Sequence, residues 1–260
     1  MQERRAKTIA FVAARGGTGT TTVAINVAVA LAHYSRAKTA LLDLNVGRTI
    51  ADQLLDLPAA SGATVGELLP TLAELNGAPA PAEVLAQAQV NHPSGLRVIA
   101  ASRDVEPLSL GPEPAVQLLG GLAAANDIVI CDLPSTFDDC TFAVLAAVDR
   151  VLIVATPEVP TLKRTKTLRQ RLREARGDGA APRVVLNRAN ESDGLPLQQI
   201  EEFLGDPAWS VLPAAPAEAR KFHDQRVIQV LDLKGPLGKA LYLTALKLHP
   251  MRGLVNPKTR

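Results

Sequence analysis

Short apolar runs rich in Val, Ile and Leu alternate along the chain with longer stretches dominated by Ala and Leu. The runs Thr8–Ala13, Ala40–Asp43, Leu96–Ala100, Asp127–Asp132, Arg150–Ala155, Arg183–Asn187 and Trp209–Leu212 are predicted strands. Most are apolar at consecutive positions instead of alternating, as suits parallel strands covered on both faces. Between them, 20–34, 112–125, 137–147, 161–176, 195–204 and 236–248 are predicted helices. Pro112, Pro160 and Pro196 stand at or near helix starts, where a missing N–H does no harm. This alternation predicts an α/β fold: a doubly wound, mainly parallel sheet of about seven or eight strands flanked by helices, in one domain over 1–260. Residues 1–7 are expected to be an N-terminal extension and 249–260 a loose basic tail. The least regular stretch, 57–95, contains five prolines and is expected to lay short helices and loops over the sheet.

Composition narrows the class. Of 260 residues, 47% are hydrophobic and 21% charged, which excludes a disordered chain. Two cysteines cannot build a disulfide framework or a four-ligand zinc site, so a reducing cytoplasm is the expected compartment. Cys131 and Cys140 have no His or further Cys beside them and read as packing residues, and the four histidines show no metal spacing. Arg15 closes the apolar run Ile9–Ala14 after six residues, too few for a signal peptide. The longest apolar helix candidate, Val23–Ala32, is about half the length of a membrane span, so no integral membrane segment is expected. The net charge of +2 conceals an acidic first part, −5 over 1–150, and a basic second part, +7 over 151–260.

The first predicted strand runs into Ala14-Arg15-Gly16-Gly17-Thr18-Gly19-Thr20-Thr21-Thr22 and then a helix. Glycines let backbone N–H groups approach an anion, and a helix N-terminus adds partial positive charge, so the loop reads as a phosphate cradle. Two patterns fit it in part. A dinucleotide fingerprint G-x-G-x-x-G finds two of its three glycines in Gly17 and Gly19, with Asp43 where a ribose-binding acid belongs. A P-loop G-x-x-x-x-G-K-[ST] finds Ala14 for its first Gly and Thr20 for its Lys. Downstream, Ile128-Val129-Ile130-Cys131-Asp132 is an apolar strand ending in an acid, the Walker-B arrangement that positions Mg²⁺.

From about Thr8 to Leu248 the chain resembles the ParA/MinD group of deviant Walker-A ATPases. The likeness rests on Arg15-Gly16-Gly17-Thr18-Gly19-Thr20-Thr21 for the loop and Leu41–Gly47 for the second strand and its Asp. It continues through Asp132-Leu133-Pro134 for switch II, Val185-Leu186-Asn187-Arg188 for the adenine-side Asn, and Val211-Leu212-Pro213 for the following turn. Within the group the chain looks most like the CpaE/TadZ branch, which localises pilus assembly. Asp52–Leu57, Thr64–Leu69, Gly95–Ala101 and Val151–Pro160 carry that likeness. Typical members add a receiver-like N-terminal domain, which is not expected here because the sequence starts at the first ATPase strand.

The resemblance implies ATP or ADP with Mg²⁺ as cofactors. It implies nucleotide contact by Gly16, Gly17, Thr18, Gly19, Thr20, Thr21, Thr22, Asn187, Arg188 and Pro213, and metal contact by Thr21 and Asp132. Asp43 would position the attacking water, and Arg15 would reach the phosphates across a homodimer. It further implies partners in pilus or secretion assembly and recruitment of a cytoplasmic protein to a cell pole or the inner membrane surface. Both family lysines are replaced, by Arg15 and Thr20. Phosphoryl transfer depends on positioning and charge stabilisation, so the lost cation at Thr20 predicts slow or absent hydrolysis, with binding retained. Two other functions stay open: a DNA-associated partition ATPase and a nucleotide-independent scaffold.

The predicted helix 161–176 is the second chemical feature. Leu162, Thr165, Leu168, Leu172 and Ala175 make a core stripe, and Lys163, Arg164, Lys166, Arg169, Arg171, Arg173 and Arg176 cover the rest. Either this is a solvated exterior or it contacts an anion: nonspecific DNA, an acidic partner or an anionic membrane surface. Helix 236–248 has an apolar face without Phe or Trp, which favours packing on the domain over lying in a membrane interface.

Overall fold

The computed structural model describes residues 6–47, 50–58, 64–100, 110–177, 179–189 and 195–251. In chain order the elements are β1 (Lys7–Val12), α1 (Thr20–Tyr34), β2 (Thr39–Asp43), α2 (Ala51–Leu54), α3 (Val65–Glu74) and α4 (Ala82–Ala88). Then come β3 (Gln89–Asn91), β4 (Arg97–Ile99), α5 (Pro112–Ala125), β5 (Ile128–Asp132), α6 (Asp139–Ala147) and β6 (Arg150–Ala155). The chain continues with α7 (Val159–Arg176), β7 (Arg183–Ala189), α8 (Leu197–Leu204), β8 (Ser210–Pro213), α9 (Pro216–Gln225), α10 (Gln229–Asp232) and α11 (Pro236–Leu248).

The eight strands form one sheet in the order β3-β4-β2-β5-β1-β6-β7-β8. All neighbours are parallel except β3 and β4. This is the doubly wound architecture expected from the apolar runs. Successive strand residues feed opposite layers. Ile9, Phe11, Leu41, Ile128 and Ile130 pack with α1 and α11, while Ala10, Val12, Leu42, Val129 and Cys131 pack with α3, α5 and α6. The alternation follows from the two-residue period of a strand with both faces covered. Helix α1 is buried from Val23 to Leu31, so its apolar character all round is that of a core helix.

Several expectations shift in detail. Lys7 already belongs to β1, and residues 1–5 and 252–260 of the expected extension and tail lie outside the described residues. Helix α6 starts at Asp139 because the Asp138 carboxylate caps the Thr141 N–H at 2.8 Å. The irregular stretch holds α3 and α4 as expected. It also holds β3, a three-residue edge strand too short and polar to show a pattern. The polar helix α9 was not predicted either: its one buried residue, Phe222, leaves no stripe to read. Helix α11 packs on α1 and β8 through Leu237, Leu241, Tyr242, Ala245 and Leu248, as domain packing requires.

Candidate nucleotide site

The carboxyl ends of β1, β2, β5 and β7 meet on one edge of the sheet. The chain leaves β1 toward β2 on one side and toward β6 on the other only later, so β1 sits where the winding changes direction. Ligands of open α/β sheets bind at such a point. The loop after β1 turns through Gly17 (φ 83°) and Gly19 (φ 87°), both in the left-handed region that glycine enters without strain. Gly19 has a second reason to be glycine: a Cβ there would stand 2.6 Å from Asn187 Nδ2. Thr20 then opens α1 and aims the free N–H groups of its first turn at the loop.

Asn187, at the end of β7, is buried and holds this loop from the far side. Its Nδ2 donates to the Thr18 carbonyl at 2.7 Å, and its Oδ1 accepts from the Arg188 N–H at 2.9 Å. Arg188 takes φ 56°, at the irregularity where the pairing of β7 with β8 shifts register between Leu186 and Ala189. The Thr20 hydroxyl lies 3.1 Å from that of the buried Thr18. The position thus carries an internal hydrogen bond and no charge.

Asp43 and Asp132 are register partners on β2 and β5, both fully buried. Asn45 bridges them, its Nδ2 donating to Asp43 Oδ1 at 2.7 Å and to Asp132 Oδ2 at 2.9 Å, while its backbone N–H reaches Asp43 Oδ1 at 2.9 Å. Asp132 Oδ1 has no hydrogen-bond partner. Burial first and the Asp43 charge second push the Asp132 carboxyl well above the usual range, while the Thr21 hydroxyl and Asn45 pull it back. A buried carboxylate oxygen left open beside a hydroxyl fits Mg²⁺, which binds through one or two protein oxygens plus phosphate and water. No cluster of three or more His, Cys, Asp or Glu that could hold a metal by itself occurs among the described residues. Asn45 is a bridging residue that the sequence reading did not single out, although it sits two positions after the second-strand acid.

Arg15 lies exposed beside α7. Its Nη1 donates to Thr161 Oγ1 at 3.5 Å and it neighbours Glu158. The Glu158 carboxyl is held below its usual range chiefly by the Thr156 hydroxyl. In the isolated chain, then, Arg15 rests over the start of α7.

A cleft of about 710 Å³, open mouth included, extends from Gly19 and Thr22 to the turn after β8. Asn187 and Arg188 of β7 and Pro213 of β8 line it, so two segments distant in sequence meet at one wall. His223 of α9 also lines it, with Nε2 3.3 Å from Thr22 Oγ1. Nothing in the sequence marked His223, because α9 itself carries no pattern.

The basic helix needs correction. Arg169 is buried, donating to the Pro182 and Leu204 carbonyls at 3.2 and 2.9 Å and facing Asp206, so it is a structural residue and not part of an anion-contact face. Arg176 donates to the carbonyls of Leu145, Val148 and Asp149 around the end of α6, and Arg173 pairs with Asp206. Lys166 lies over the Phe203 ring at 4.6 Å. Lys163, Arg164 and Arg171 remain, rimming a groove floored by Ala14, Phe137, Phe142 and Leu168. Among the described residues no helix is long and apolar enough to cross a membrane.

Comparison with known proteins agrees with this geometry. A family model described as an AAA domain matches residues 6–178. An uncharacterised ATP-binding protein of Methanocaldococcus jannaschii is 27% identical over 246 residues, covering 92% of this chain and 86% of its own. The crystal structure of a ParA family ATPase from Chlorobium tepidum superposes with a TM-score of 0.80 at 22% identity, over 95% of this chain and all of that one. The septum site-determining protein MinD of Pyrococcus horikoshii, complexed with Mg-ADP, gives 0.76 at 20% identity, over 94% and 96% of the two chains. The structural likenesses concern the fold.

Proposed function

Because the chain belongs to the AAA-domain family and carries the ParA/MinD fold, we propose that it is an ATP-binding positioning protein of CpaE/TadZ type. In this reading its nucleotide-stabilised homodimer recruits pilus or secretion machinery, and 1–260 acts as one ATPase-like unit. The observation that carries the nucleotide reading is the glycine loop clamped by Asn187 and opening on a cleft walled by Asn187, Arg188 and Pro213. The ATP-binding relative and the Mg-ADP-bound MinD support the same ligand class.

Each residue then has work to do. Loop N–H groups from Gly16 to Thr22 bind phosphate oxygens, with the α1 dipole behind them. Thr21 and Asp132 would hold the Mg²⁺ that arrives with the nucleotide, and Asn45 keeps the two acids apart in role by occupying one oxygen of each. Bound Mg-ATP supplies the transferable phosphoryl group and the divalent charge. Asp43 orients water, and Arg15, released from Thr161, reaches phosphate in the partner copy through its bidentate fork. Thr20 brings no cation, so the chain holds nucleotide as a state marker and turns it over slowly. Exposed Lys163, Arg164 and Arg171 beside Phe137 and Phe142 support contact with a partner or an anionic surface at α7, with recruitment to a pole or the inner membrane as the outcome.

Calorimetry with Mg-ATP and Mg-ADP tests the binding reading; silence at millimolar nucleotide overturns it. Light scattering with and without Mg-ATP tests the dimer. A mass indifferent to ATP favours the scaffold reading, and turnover stimulated by DNA favours the partition ATPase.

A further inference from the structure

We propose that His223 is a nucleotide-binding residue of this chain, its ring reading the phosphate nearest the ribose. The inference rests on the nucleotide reading above and names a contact that reading does not contain. The cleft is lined mostly by small and apolar side chains, and its polar groups converge at Thr22, Asn187, Arg188 and His223. Asn187 is engaged through its nitrogen with the loop and through its oxygen with the Arg188 N–H, which leaves one further N–H to offer. Thr22 stands in the first turn of α1, and its hydroxyl meets His223 Nε2 at 3.3 Å. A nucleoside seated against Asn187 and Pro213, with its terminal phosphates in the loop, passes its first phosphate over this Thr22–His223 pair.

The His223 side chain is exposed on helix α9, and the helix is held there by the rest of the corner. Phe222 is fully buried in the α1–α11 core and lies edge-on to the His223 ring at 5.4 Å. Helix α9 is tied to α11 by the Glu218 carboxylate, which accepts from the Leu237 and Gly238 N–H groups at 3.3 and 3.2 Å. The Gln229 amide adds a bond to the Glu218 carbonyl at 2.9 Å. Gly238 admits no Cβ because the Gln229 carbonyl would be 2.4 Å away. An anchored wall presents its imidazole at low entropic cost. Imidazole also carries an N–H donor, so His223 adds a hydrogen-bond partner for phosphate at the ribose end of the cleft.

The test uses the full chain, with Mg-ADP and Mg-pyrophosphate as probes in calorimetry. His223→Ala is expected to weaken ADP by roughly ten- to a hundredfold, the worth of one hydrogen bond to a charged group, and to leave pyrophosphate within about twofold. His223→Gln, which keeps an N–H donor, is expected to retain most of the ADP affinity. Unchanged ADP affinity in His223→Ala, or equal loss for both probes, overturns the inference. Unaltered protein that binds pyrophosphate but not ADP overturns it while keeping the loop as a phosphate site. Binding of neither probe overturns the nucleotide reading along with it.

Discussion

Asn187 Nδ2 donates to the Thr18 carbonyl at 2.7 Å, so the end of β7 holds the glycine loop of β1 across the intervening strand β6. The amide occupies the space a side chain at position 19 would need, which makes Gly19 and Asn187 a single device. Gly19→Ala combines that clash with a left-handed backbone worth about 1–2 kcal/mol against a Cβ. It is expected to lower stability by about 2 kcal/mol or more in urea unfolding and to abolish nucleotide binding in calorimetry. Adding Asn187→Ala relieves the clash and not the backbone strain, so the double variant is expected to be more stable than the sum of the single effects.

Asn45 and Asp132 set a pH dependence. With the Asp132 carboxyl raised in the folded chain, the folded state binds more protons than the unfolded one between the ordinary carboxylate value of about 4 and the raised value. Stability of the nucleotide-free protein should therefore fall as pH climbs through that window. Asp132→Asn is expected to flatten the fall in thermal melts across pH and to abolish Mg²⁺-dependent nucleotide binding. Asn45→Ala removes the bridging donors and is expected to cost about 1–3 kcal/mol at neutral pH, and less near pH 4.

Thr20→Lys places a cation on the loop that the proposed function assigns to phosphate binding. It is expected to raise ATP turnover at least about tenfold, read by phosphate release, whereas Thr20→Ala leaves turnover near its starting value. Unchanged turnover in Thr20→Lys would show that charge at this position does not limit hydrolysis.

Arg169 and Arg171 are expected to behave oppositely. Arg169→Ala strips donors from two buried carbonyls and leaves Asp206 with Arg173 as its ion-pair partner, at a cost of about 3 kcal/mol in chemical denaturation. Arg171→Ala and Lys163→Ala, on the exposed rim, should stay within about 0.5 kcal/mol. Any effect of theirs on anion or partner binding is then separable from folding.

The two thiols should be inert. Burial pushes Cys131 up to about 12, with the Asp132 charge adding to it, and Cys140 up to about 11, helped by Asp138. Thiolate is the reactive form, so iodoacetamide at pH 8 is expected to spare both in native protein and to label both after unfolding, as counted by mass spectrometry.

Much of the architecture was legible because it is local. Consecutive apolar residues from Ile9 to Val12 and from Ile128 to Cys131 require cover on both faces, and Pro112 and Pro236 fix helix starts by chemistry of their own. The loop glycines were legible for the same reason. Edge strand β3 and helix α9 were not, since a three-residue strand with one apolar position and a helix with one buried side chain carry no period. Arg169 misled for a related reason. A basic residue on a basic helix looks exposed until the carbonyls of Pro182 and Leu204, and Asp206, are brought to it.

By itself the sequence determined the strand and helix alternation, the phosphate-type loop and the absence of lysine at position 20. These follow from side-chain period, backbone freedom and charge, which are properties of neighbouring residues. Tertiary structure alone decided that Asn187 clamps Thr18, that Asn45 bridges Asp43 and Asp132, and that His223 meets Thr22 from 201 positions away. Those contacts join segments that only the order of strands in the sheet brings together, and no local pattern encodes the distance between them.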